Sequence, residues 1–286
     1  MILLQGRTHD LGDGFMVRRM LPSVERRTVG PFVFFDYFGP ARFAPGNGID
    51  VRPHPHIGLA TVTYLFQGSQ VHRDNIGSVQ TIAPGDVNWM VAGSGIVHSE
   101  RTGPDVRAAG HTLHGIQTWV GLPQAHEETT PVFEHYAMTE LPVRDEGGVH
   151  LRVIAGHAYK LASPVKVFSG TLYADAHFAP QSSLRLTDEH AERGVLVIDG
   201  TLDANGTKLE KGAMAIFDAN EHVTLSAMQS AHAMLFGGAP LDGHRHLDWN
   251  FVSSSMDRIA KARDDWQAQR YAKIPGETEF IPLPVR

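Results

Sequence analysis

His54-Pro55-His56 and His98-Ser99-Glu100 are the two stretches on which the predicted fold and site of this chain depend. In an extended strand, alternate side chains point to the same face, so the outer residues of each stretch lie roughly 6.6 Å apart on one side. Two facing strands of this kind would bring three imidazoles and one carboxylate together. Pro55 is compatible with an edge strand, where its missing N–H removes no ladder hydrogen bond. These nitrogen and oxygen donors predict a site for one divalent metal ion.

The residues between these two stretches predict a small antiparallel barrel. A β-type run at residues 61–66 is followed by the turn Pro84-Gly85-Asp86 and a second apolar run at residues 87–91. Gly93-Ser94-Gly95 forms another turn, which leads to His98. Runs of β-branched and aromatic residues bounded by Gly, Pro and Asp are typical of strands joined by short turns.

An H-x-H pattern alone is weak evidence for a metal site. With 17 histidines in 286 residues, chance placement gives about one such pattern. His244-Arg245-His246 is a second example, but it follows the turn sequence Pro240-Leu241-Asp242-Gly243, and no H-x-E stretch lies nearby. We therefore predict a surface loop there and a metal site at the first pair.

Composition restricts the chemistry further. The chain has no cysteine, which excludes disulfides, thiolate nucleophiles and cysteine-ligated zinc or iron–sulfur sites. Its 25 basic and 31 acidic side chains give a net charge of −6, which argues against direct nucleic-acid binding because that needs a concentrated positive surface. The first residues lack a signal-peptide pattern, and no apolar stretch approaches the roughly 18 residues that span a bilayer. We expect a cytoplasmic protein that does not bind membranes.

Several stretches resemble the pirin family of the cupin superfamily. The resemblance runs almost end to end and is most specific at residues 30–40, 53–68, 84–90, 92–100 and 114–120. It implies an all-β fold of two tandem cupin barrels (double-stranded β-helices), that is, a bicupin, with a C-terminal helix. It also implies that His54, His56, His98 and Glu100 hold one iron in the N-terminal barrel. One departure is visible, since many relatives carry glutamate where this chain has Ala60.

The second half of the chain repeats the strand-and-turn style without repeating the ligands. Residues 194–200 form an apolar run, Asn205-Gly206 is a hairpin signal, and residues 209–217 resemble the turn and strand of the second cupin motif. We expect a degenerate cupin without metal, because no alternate pairing links its histidines His190, His222 and His232.

Pro and Gly clusters mark the expected linker at Leu141-Pro142 and Glu146-Gly147-Gly148. They predict a metal-binding cupin at residues 1–142 and a degenerate cupin with the C-terminal helix at residues 143–286. The serines at 253–255 can cap this helix, and an i, i+4 ion pair is expected between Asp257 and Lys261. The residues whose spacing predicts its packing face are Met256, Ile259, Ala260, Arg263 and Trp266.

Two further histidines lie near the predicted ligands in the sequence. His72 and Asp74 alternate on a strand and could hydrogen-bond around the barrel mouth. His114 precedes Trp119 in one of the pirin-like stretches. It either orients a metal ligand through a hydrogen bond or is a core histidine with its own partner.

The resemblance also implies an activity. Some pirin-like bacterial proteins are quercetin 2,4-dioxygenases, which open the flavonol ring with dioxygen and release carbon monoxide. We therefore expect an iron(II)-dependent dioxygenase acting on a flavonol or similar aromatic substrate, with Glu100 as the catalytic residue that ligates the metal or takes the substrate proton. The same donors accept manganese, cobalt, nickel, copper and zinc. The alternatives are a metal-dependent, redox-sensing regulator that binds a protein partner without turnover and, less well supported, a sugar-handling cupin.

Overall fold

Strands dominate the structure, in agreement with the predicted all-β fold. The computed structural model describes residues 1–10 and 15–284, and within these ranges the chain forms twenty-five strands and two α-helices. The helices are α1 (Pro104–Ala109) and α2 (Met256–Gln267). The strands are β1 (Ile2–Leu4), β2 (Arg7–Asp10), β3 (Met16–Leu21), β4 (Phe32–Phe43), β5 (Asp50–His56), β6 (Leu59–Gln67), β7 (Gln70–Asp74), β8 (Val79–Ile82), β9 (Val87–Val91), β10 (Ile96–Arg101), β11 (His111–Gly121), β12 (Val132–Tyr136), β13 (Val143–Glu146), β14 (Val149–Ala158), β15 (Leu161–Ala162), β16 (Thr171–Phe178), β17 (Ser182–Arg185), β18 (Glu192–Asp199), β19 (Thr201–Ala204), β20 (Thr207–Glu210), β21 (Met214–Phe217), β22 (Thr224–Ala227), β23 (Ala231–Gly238), β24 (His246–Asp248) and β25 (Phe251–Ser253).

The first barrel is built from two antiparallel sheets. One sheet has the strand order β12-β9-β6-β11-β4-β3-β2, and the other has the order β5-β10-β7-β8. Strand β5 lies at the edge of the smaller sheet, which is where a proline can replace a ladder donor. One apolar cluster of this barrel contains Phe15, Val17, Phe38, Ile49, Leu65, Ile82 and Leu113.

The second barrel repeats this two-sheet plan. Its larger sheet has the order β1-β21-β18-β23-β16-β14-β13, with β15 paired to β14, and its smaller sheet has the order β17-β22-β19-β20. Alternate residues of β16, Ala174, Ala176 and Phe178, enter a large apolar core. The predicted hairpin is confirmed, since Asn205 and Gly206 both have positive φ, 51° and 89°, as a type I′ turn requires.

The two compact units are not contiguous in sequence. One unit contains residues 1–7, 20–34 and 139–240, and the other contains residues 8–19, 35–138 and 241–286. The first residues join the second barrel because β1 pairs with β21. The last residues join the first barrel because Val252 N–H donates to the carbonyl of Ile57 and Ile281 N–H donates to the carbonyl of Pro53. Each unit thus combines a segment near one end of the sequence with residues far from it along the chain.

Gly58 shows how closely the C-terminal segment approaches the strand that carries the predicted ligands. Its φ is +68°, and a Cβ at this position would lie 2.0 Å from the carbonyl oxygen of Val252. A residue with a side chain would be strained here by the positive φ and by the clash with the carbonyl oxygen. Glycine thus allows the segment at Val252 to pack directly beside the end of β5.

The C-terminal helix is confirmed, with two corrections. Ser255 caps it, since its Oγ accepts the backbone N–H of Arg258. The predicted packing face was partly wrong, because the buried residues are Ile259, Ala262 and Trp266, while Met256 is 52% exposed. The predicted ion pair was also wrong, because Lys261 pairs with Asp265, one turn further on, rather than with Asp257. Within residues 1–10 and 15–284, no helix is both long and apolar enough to cross a bilayer.

Candidate metal centre

Strands β5 and β10 bring the three predicted histidine ligands together. They pair in antiparallel register, with His54 opposite His98 and His56 opposite Ile96. The ring centroids of His54 and His98 are 4.4 Å apart, and each lies 5.0 Å from the ring of His56. One nitrogen of each ring lies within 4.8 Å of the others. The alternation expected from the sequence is therefore present on both strands.

A shift in register brings Glu100 to the same cluster. The pairing of β10 with β5 is irregular between His98 and Glu100, and Glu100 lies opposite Val51. Its Oε2 is 4.0 Å from His54 Nε2, and its Oε1 is 3.5 Å from His98 Nδ1. The carboxylate thus lies beside two of the imidazoles, whereas the set of described donor atoms at this site that all lie within 4.8 Å of one another comprises the three histidines.

The hydrogen bonds of the rings leave their Nε2 atoms facing the cluster. His54 Nδ1 lies 2.9 Å from the carbonyl of Arg52, and His56 Nδ1 lies 3.0 Å from the carbonyl of Asn250. In the part of the chain that the structure describes, His56 Nε2, His98 Nε2 and Glu100 Oε2 are buried without a hydrogen-bond partner. Buried polar atoms rarely lack a partner. A divalent cation would satisfy all of them, so the residues fit a metal.

The charge states of the metal-free cluster are set by burial. Burial lowers the pKa of His54 to about 4 and the pKa values of His56 and His98 well below the usual value. All three imidazoles are therefore neutral near pH 7, which is the form that binds metals. Burial raises the pKa of Glu100 to about 8. The cluster can therefore accept a cation when that one carboxyl group loses its proton.

Access to the cluster is narrow and lies on one side. His54 is 7% exposed and Glu100 is 6% exposed, whereas His56 and His98 are each 1% exposed. The indole ring of Trp119 packs edge-on against His56, with the centroids 5.0 Å apart. A small molecule would therefore reach a bound metal from the side of His54 and Glu100.

His72 and Asp74 lie directly beside the cluster on β7. Strand β7 pairs with β10, so that Asp74 faces His98 and His72 faces Glu100. His72 Nε2 is 2.9 Å from Asp74 Oδ2, so the two side chains hydrogen-bond to each other. Burial raises the pKa of Asp74, but hydrogen bonds from His72 and Ser78 outweigh that effect and keep the pKa below its usual value. His72 Nδ1 lies 3.4 Å from His98 Nδ1.

His114 hydrogen-bonds to a tyrosine. Its Nε2 lies 2.9 Å from the hydroxyl of Tyr37, and its ring also packs edge-on against Phe66. Of the two alternatives drawn from the sequence, this contact favours a core histidine with its own partner.

The prediction of a surface loop at residues 244–246 was partly wrong. His244 is exposed, but Arg245 is buried and its Nε lies 2.6 Å from Glu127 Oε1. Arg245 also pairs with Asp242, and His246 begins β24. No candidate metal cluster among the described residues includes these two histidines. A tertiary ion pair, which sequence spacing cannot reveal, draws Arg245 inward.

The second barrel contains a cluster that we did not predict. Asp175 and His177 alternate on β16, and His232 lies opposite His177 on β23. Their ligand atoms are close enough to hold a metal ion. However, both rings approach Asp175 Oδ1, at 2.6 Å from His232 and 3.4 Å from His177, and they stack in nearly parallel planes. Nitrogen lone pairs lie in the ring planes, so two stacked rings cannot both direct them at one ion between them. Hydrogen bonding to Asp175 fits this geometry better.

The segment that follows α2 contacts the outer side of β10, the strand that carries two of the candidate ligands. Ser99 Oγ donates to Glu277, and Arg101 pairs with Glu277 as well as with Asp50. These side chains alternate with His98 and Glu100 and therefore point away from the cluster. Strand β10 is thus held by residues of the segment that follows α2.

Comparisons with known proteins agree with this architecture. The sequence model of the Pirin family matches residues 14–120, and that of the Pirin C-terminal cupin domain matches residues 173–272. A Pirin-like protein of Caulobacter vibrioides is 45% identical over 99% of both chains. A Pseudomonas aeruginosa protein provisionally named quercetin 2,3-dioxygenase is 39% identical over 91% of this chain and 82% of its own.

A solved structure supports the same assignment. The crystal structure of a quercetin 2,3-dioxygenase from Acinetobacter baumannii superposes with a TM-score of 0.92 at 34% identity, covering 100% of this chain and 95% of the other. The two family models match both halves of the chain, and the Caulobacter relative aligns over 99% of it. The chain belongs to the pirin family.

Proposed function

We propose that the protein is an iron(II)-dependent dioxygenase of the quercetin 2,4-dioxygenase type, acting on a flavonol or a similar aromatic substrate. The observation that carries the proposal is the cluster of three buried, neutral imidazoles beside one carboxylate with an unpartnered oxygen. The names of the Pseudomonas and Acinetobacter relatives give quercetin as the substrate of those proteins. His54, His56, His98 and Glu100 would hold the ion.

Ferrous iron, when bound, supplies Lewis acidity and the electron transfer that dioxygen needs. The protein's own contribution to the chemistry centres on Glu100. Its carboxylate lies beside His54 and His98, and Oε2 has no other hydrogen-bond partner among the described residues, so Glu100 could accept the proton of the flavonol 3-hydroxyl group. Ala60, at the position where many relatives carry glutamate, has no group that could share this role.

The walls of the site select the part of the substrate that can enter. Trp119 lies against His56, and Phe133 stacks on His72 with ring centroids 4.1 Å apart. Because the ligands are at most 7% exposed, only one edge of a planar substrate can approach the ion. The flavonol edge that carries the 3-hydroxyl and the neighbouring carbonyl has two oxygen atoms that could bind the ion. The apolar walls exclude water from the reaction.

The same low exposure favours a second candidate function. A regulator that senses the oxidation state of its metal needs no wide entrance, and ligands exposed by 1% to 7% are compatible with a covered ion. Such a protein would bind a protein partner with different affinity in its ferrous and ferric forms. It would not consume a substrate.

One experiment tests the enzymatic proposal. The metal-free protein is loaded with iron(II) and mixed with quercetin under air, while flavonol absorbance and carbon monoxide release are followed. We expect equal amounts of flavonol consumed and carbon monoxide formed, loss of both in His56→Ala, and retention of both in His244→Ala, which alters the other H-x-H pattern. Iron-loaded protein that leaves quercetin and related flavonols unchanged would reject the dioxygenase and favour the regulator. The same assay with manganese, cobalt, nickel, copper and zinc identifies the metal that supports turnover.

A further inference from the structure

His98 differs from the other two histidines in how its ring is held. His54 and His56 place their Nδ1 atoms against main-chain carbonyls, which fixes each Nδ1 as an N–H donor. The Nδ1 of His98 instead meets the Nδ1 of another imidazole, that of His72, at 3.4 Å. Either nitrogen of this pair could carry the hydrogen. Glu100 Oε1 also lies 3.5 Å from His98 Nδ1 but makes no hydrogen bond with it, so the tautomer of His98 depends on what lies behind His72.

Asp74 lies behind His72 and determines the direction of the hydrogen bonds. Its Oδ1 accepts the backbone N–H groups of Ile76 and Ser78, at 3.1 and 2.8 Å, and its Oδ2 is 2.9 Å from His72 Nε2. A carboxylate only accepts hydrogen bonds, so Nε2 of His72 must carry the hydrogen. In neutral His72 the other nitrogen, Nδ1, is then an acceptor. It receives the Nδ1–H of His98, and this leaves His98 Nε2 with a free lone pair.

Packing holds this chain of hydrogen bonds in place. His72 is 4% exposed, and Asp74 and His98 are each 1% exposed, so water has little access to the chain. The ring of Phe133 stacks on His72 at a centroid distance of 4.1 Å and an angle of 12°, which fixes the plane of the imidazole. His98 Nε2, at the end of the chain, is one of the buried atoms without a partner.

We propose that Asp74 and His72 are positioning residues that set the tautomer of His98 so that its Nε2 can bind the metal. This inference rests on the metal centre of the proposed function but not on its substrate. Groups that orient a metal-bound imidazole through its second nitrogen typically change metal affinity by about 10- to 100-fold when they are lost. Here the orienting carboxylate acts through a second imidazole, which extends its reach from β7 to β10.

Asp74→Asn is the informative variant because it keeps the shape of the side chain but reverses the direction of the hydrogen bonds that link residue 74 to His72 and His98. The amide oxygen must face the N–H groups of Ile76 and Ser78, so the amide N–H group faces His72 Nε2. That nitrogen then has to be the acceptor, and His72 Nδ1 carries the hydrogen. His98 must accept it at Nδ1 and is left with a hydrogen on Nε2, the atom required by the metal. We expect the dissociation constant to rise by about 10- to 100-fold.

His72→Phe removes the hydrogen bonds between Asp74, His72 and His98 without reversing their direction. The phenyl ring can still stack on Phe133, and His98 remains free to adopt the binding tautomer. We expect a smaller loss of affinity than in Asp74→Asn. A purely space-filling role for the pair predicts the opposite order, because asparagine has the size and shape of aspartate whereas phenylalanine differs from histidine.

The experiment measures cobalt(II) binding to the metal-free full-length proteins by competition with a chromophoric chelator, together with the visible absorption of the bound cobalt. The expected order of affinity is wild type, then His72→Phe, then Asp74→Asn, with an altered cobalt spectrum in Asp74→Asn because one imidazole is lost from the ion. The matched control is Asp36→Asn, which alters a buried carboxylate that pairs with Arg19 in the same barrel and should leave cobalt binding unchanged. Thermal melting of each metal-free protein verifies that it is folded.

The outcomes separate this inference from the proposed function. Asp74→Asn with cobalt affinity within about threefold of the wild type and an unchanged spectrum, or with higher affinity than His72→Phe, overturns the positioning role while leaving the dioxygenase intact. Wild-type cobalt affinity that is unchanged in His56→Ala overturns the metal centre and both proposals with it. Flavonol turnover that fails although the expected order of cobalt affinities holds rejects only the dioxygenase.

Discussion

Binding of a metal to this protein should release one proton, and that proton should come from Glu100. Burial raises the pKa of metal-free Glu100 to about 8, whereas a carboxyl ligand must be deprotonated. Burial lowers the pKa of His54 to about 4 and those of His56 and His98 well below the usual value. The imidazoles are therefore already neutral and need not lose a proton when the metal binds. Between about pH 5 and pH 8, Glu100 is the ligand that still carries a proton.

The size of the effect follows from that pKa. With a value of about 8, about one molecule in ten has an ionised Glu100 at pH 7 and about one in a hundred at pH 6. The apparent dissociation constant of the metal should therefore rise about tenfold between pH 7 and pH 6, and about 0.9 proton should be released per metal at pH 7. The dissociation constant rises as the pH falls because the metal-free protein holds the extra proton, so acid favours the metal-free form. Above about pH 8 the dependence should level off.

Calorimetric titration with cobalt(II) measures both quantities. Titrations at one pH in buffers of different ionisation enthalpy count the released protons, and a series from pH 6 to pH 8.5 gives the slope. Glu100→Gln provides the comparison: it should bind more weakly at pH 8.5 but with nearly constant affinity over the series. A wild-type dissociation constant that stays the same between pH 6 and pH 7.5, or a Glu100→Gln protein that keeps the tenfold slope, refutes the reasoning.

Three further predictions concern stability. Without metal, the wild type should lose stability relative to Glu100→Gln as the pH rises from 4.5 to about 8, because Glu100 holds a proton in the folded protein that the unfolded chain has already lost. Thermal melts across this range measure the effect, and a constant difference between the melting temperatures of the two proteins would contradict the prediction. Glu127→Ala leaves Arg245 buried with only the exposed Asp242 as a carboxylate partner and should cost about 3 kcal/mol in urea unfolding, and a cost below about 1 kcal/mol would mean that Asp242 suffices. Ser255→Ala removes the cap of α2 and should cost about 1 kcal/mol in the same assay, whereas no measurable cost would show that the cap is dispensable.

Strand alternation made part of the candidate metal centre predictable. The patterns at residues 54–56 and 98–100 each place two donors on one face, and the structure pairs the two strands with His54 opposite His98. The shift in register between His98 and Glu100 could not be predicted from the local pattern. By contrast, the Asn205-Gly206 hairpin and the serine cap of α2 follow from local backbone preferences, and both were predicted correctly.

The features that were missed depend on strand order and on residues distant in sequence. His72 and Asp74 were recognised as a pair, but the step from His72 to His98 requires β7 to lie next to β10, which no local pattern encodes. The hydrogen bond from His56 to the carbonyl of Asn250 spans 194 positions. The cluster around Asp175 had a visible signal, because Asp175 and His177 alternate, but its third member lies on another strand. Tertiary pairing, rather than composition or spacing, decides such contacts.

The exchange of terminal segments between the two units has a consequence for biosynthesis. The candidate ligands are synthesised before Asn250 and Glu277, which orient His56 and brace the strand at Ser99. A nascent chain that stops at residue 142 would carry all four candidate ligands and still lack the carbonyl that contacts the ring of His56. Loading with metal should therefore follow synthesis of the segment that contains Asn250, and nascent chains without it should be poor competitors for the cell's free metal.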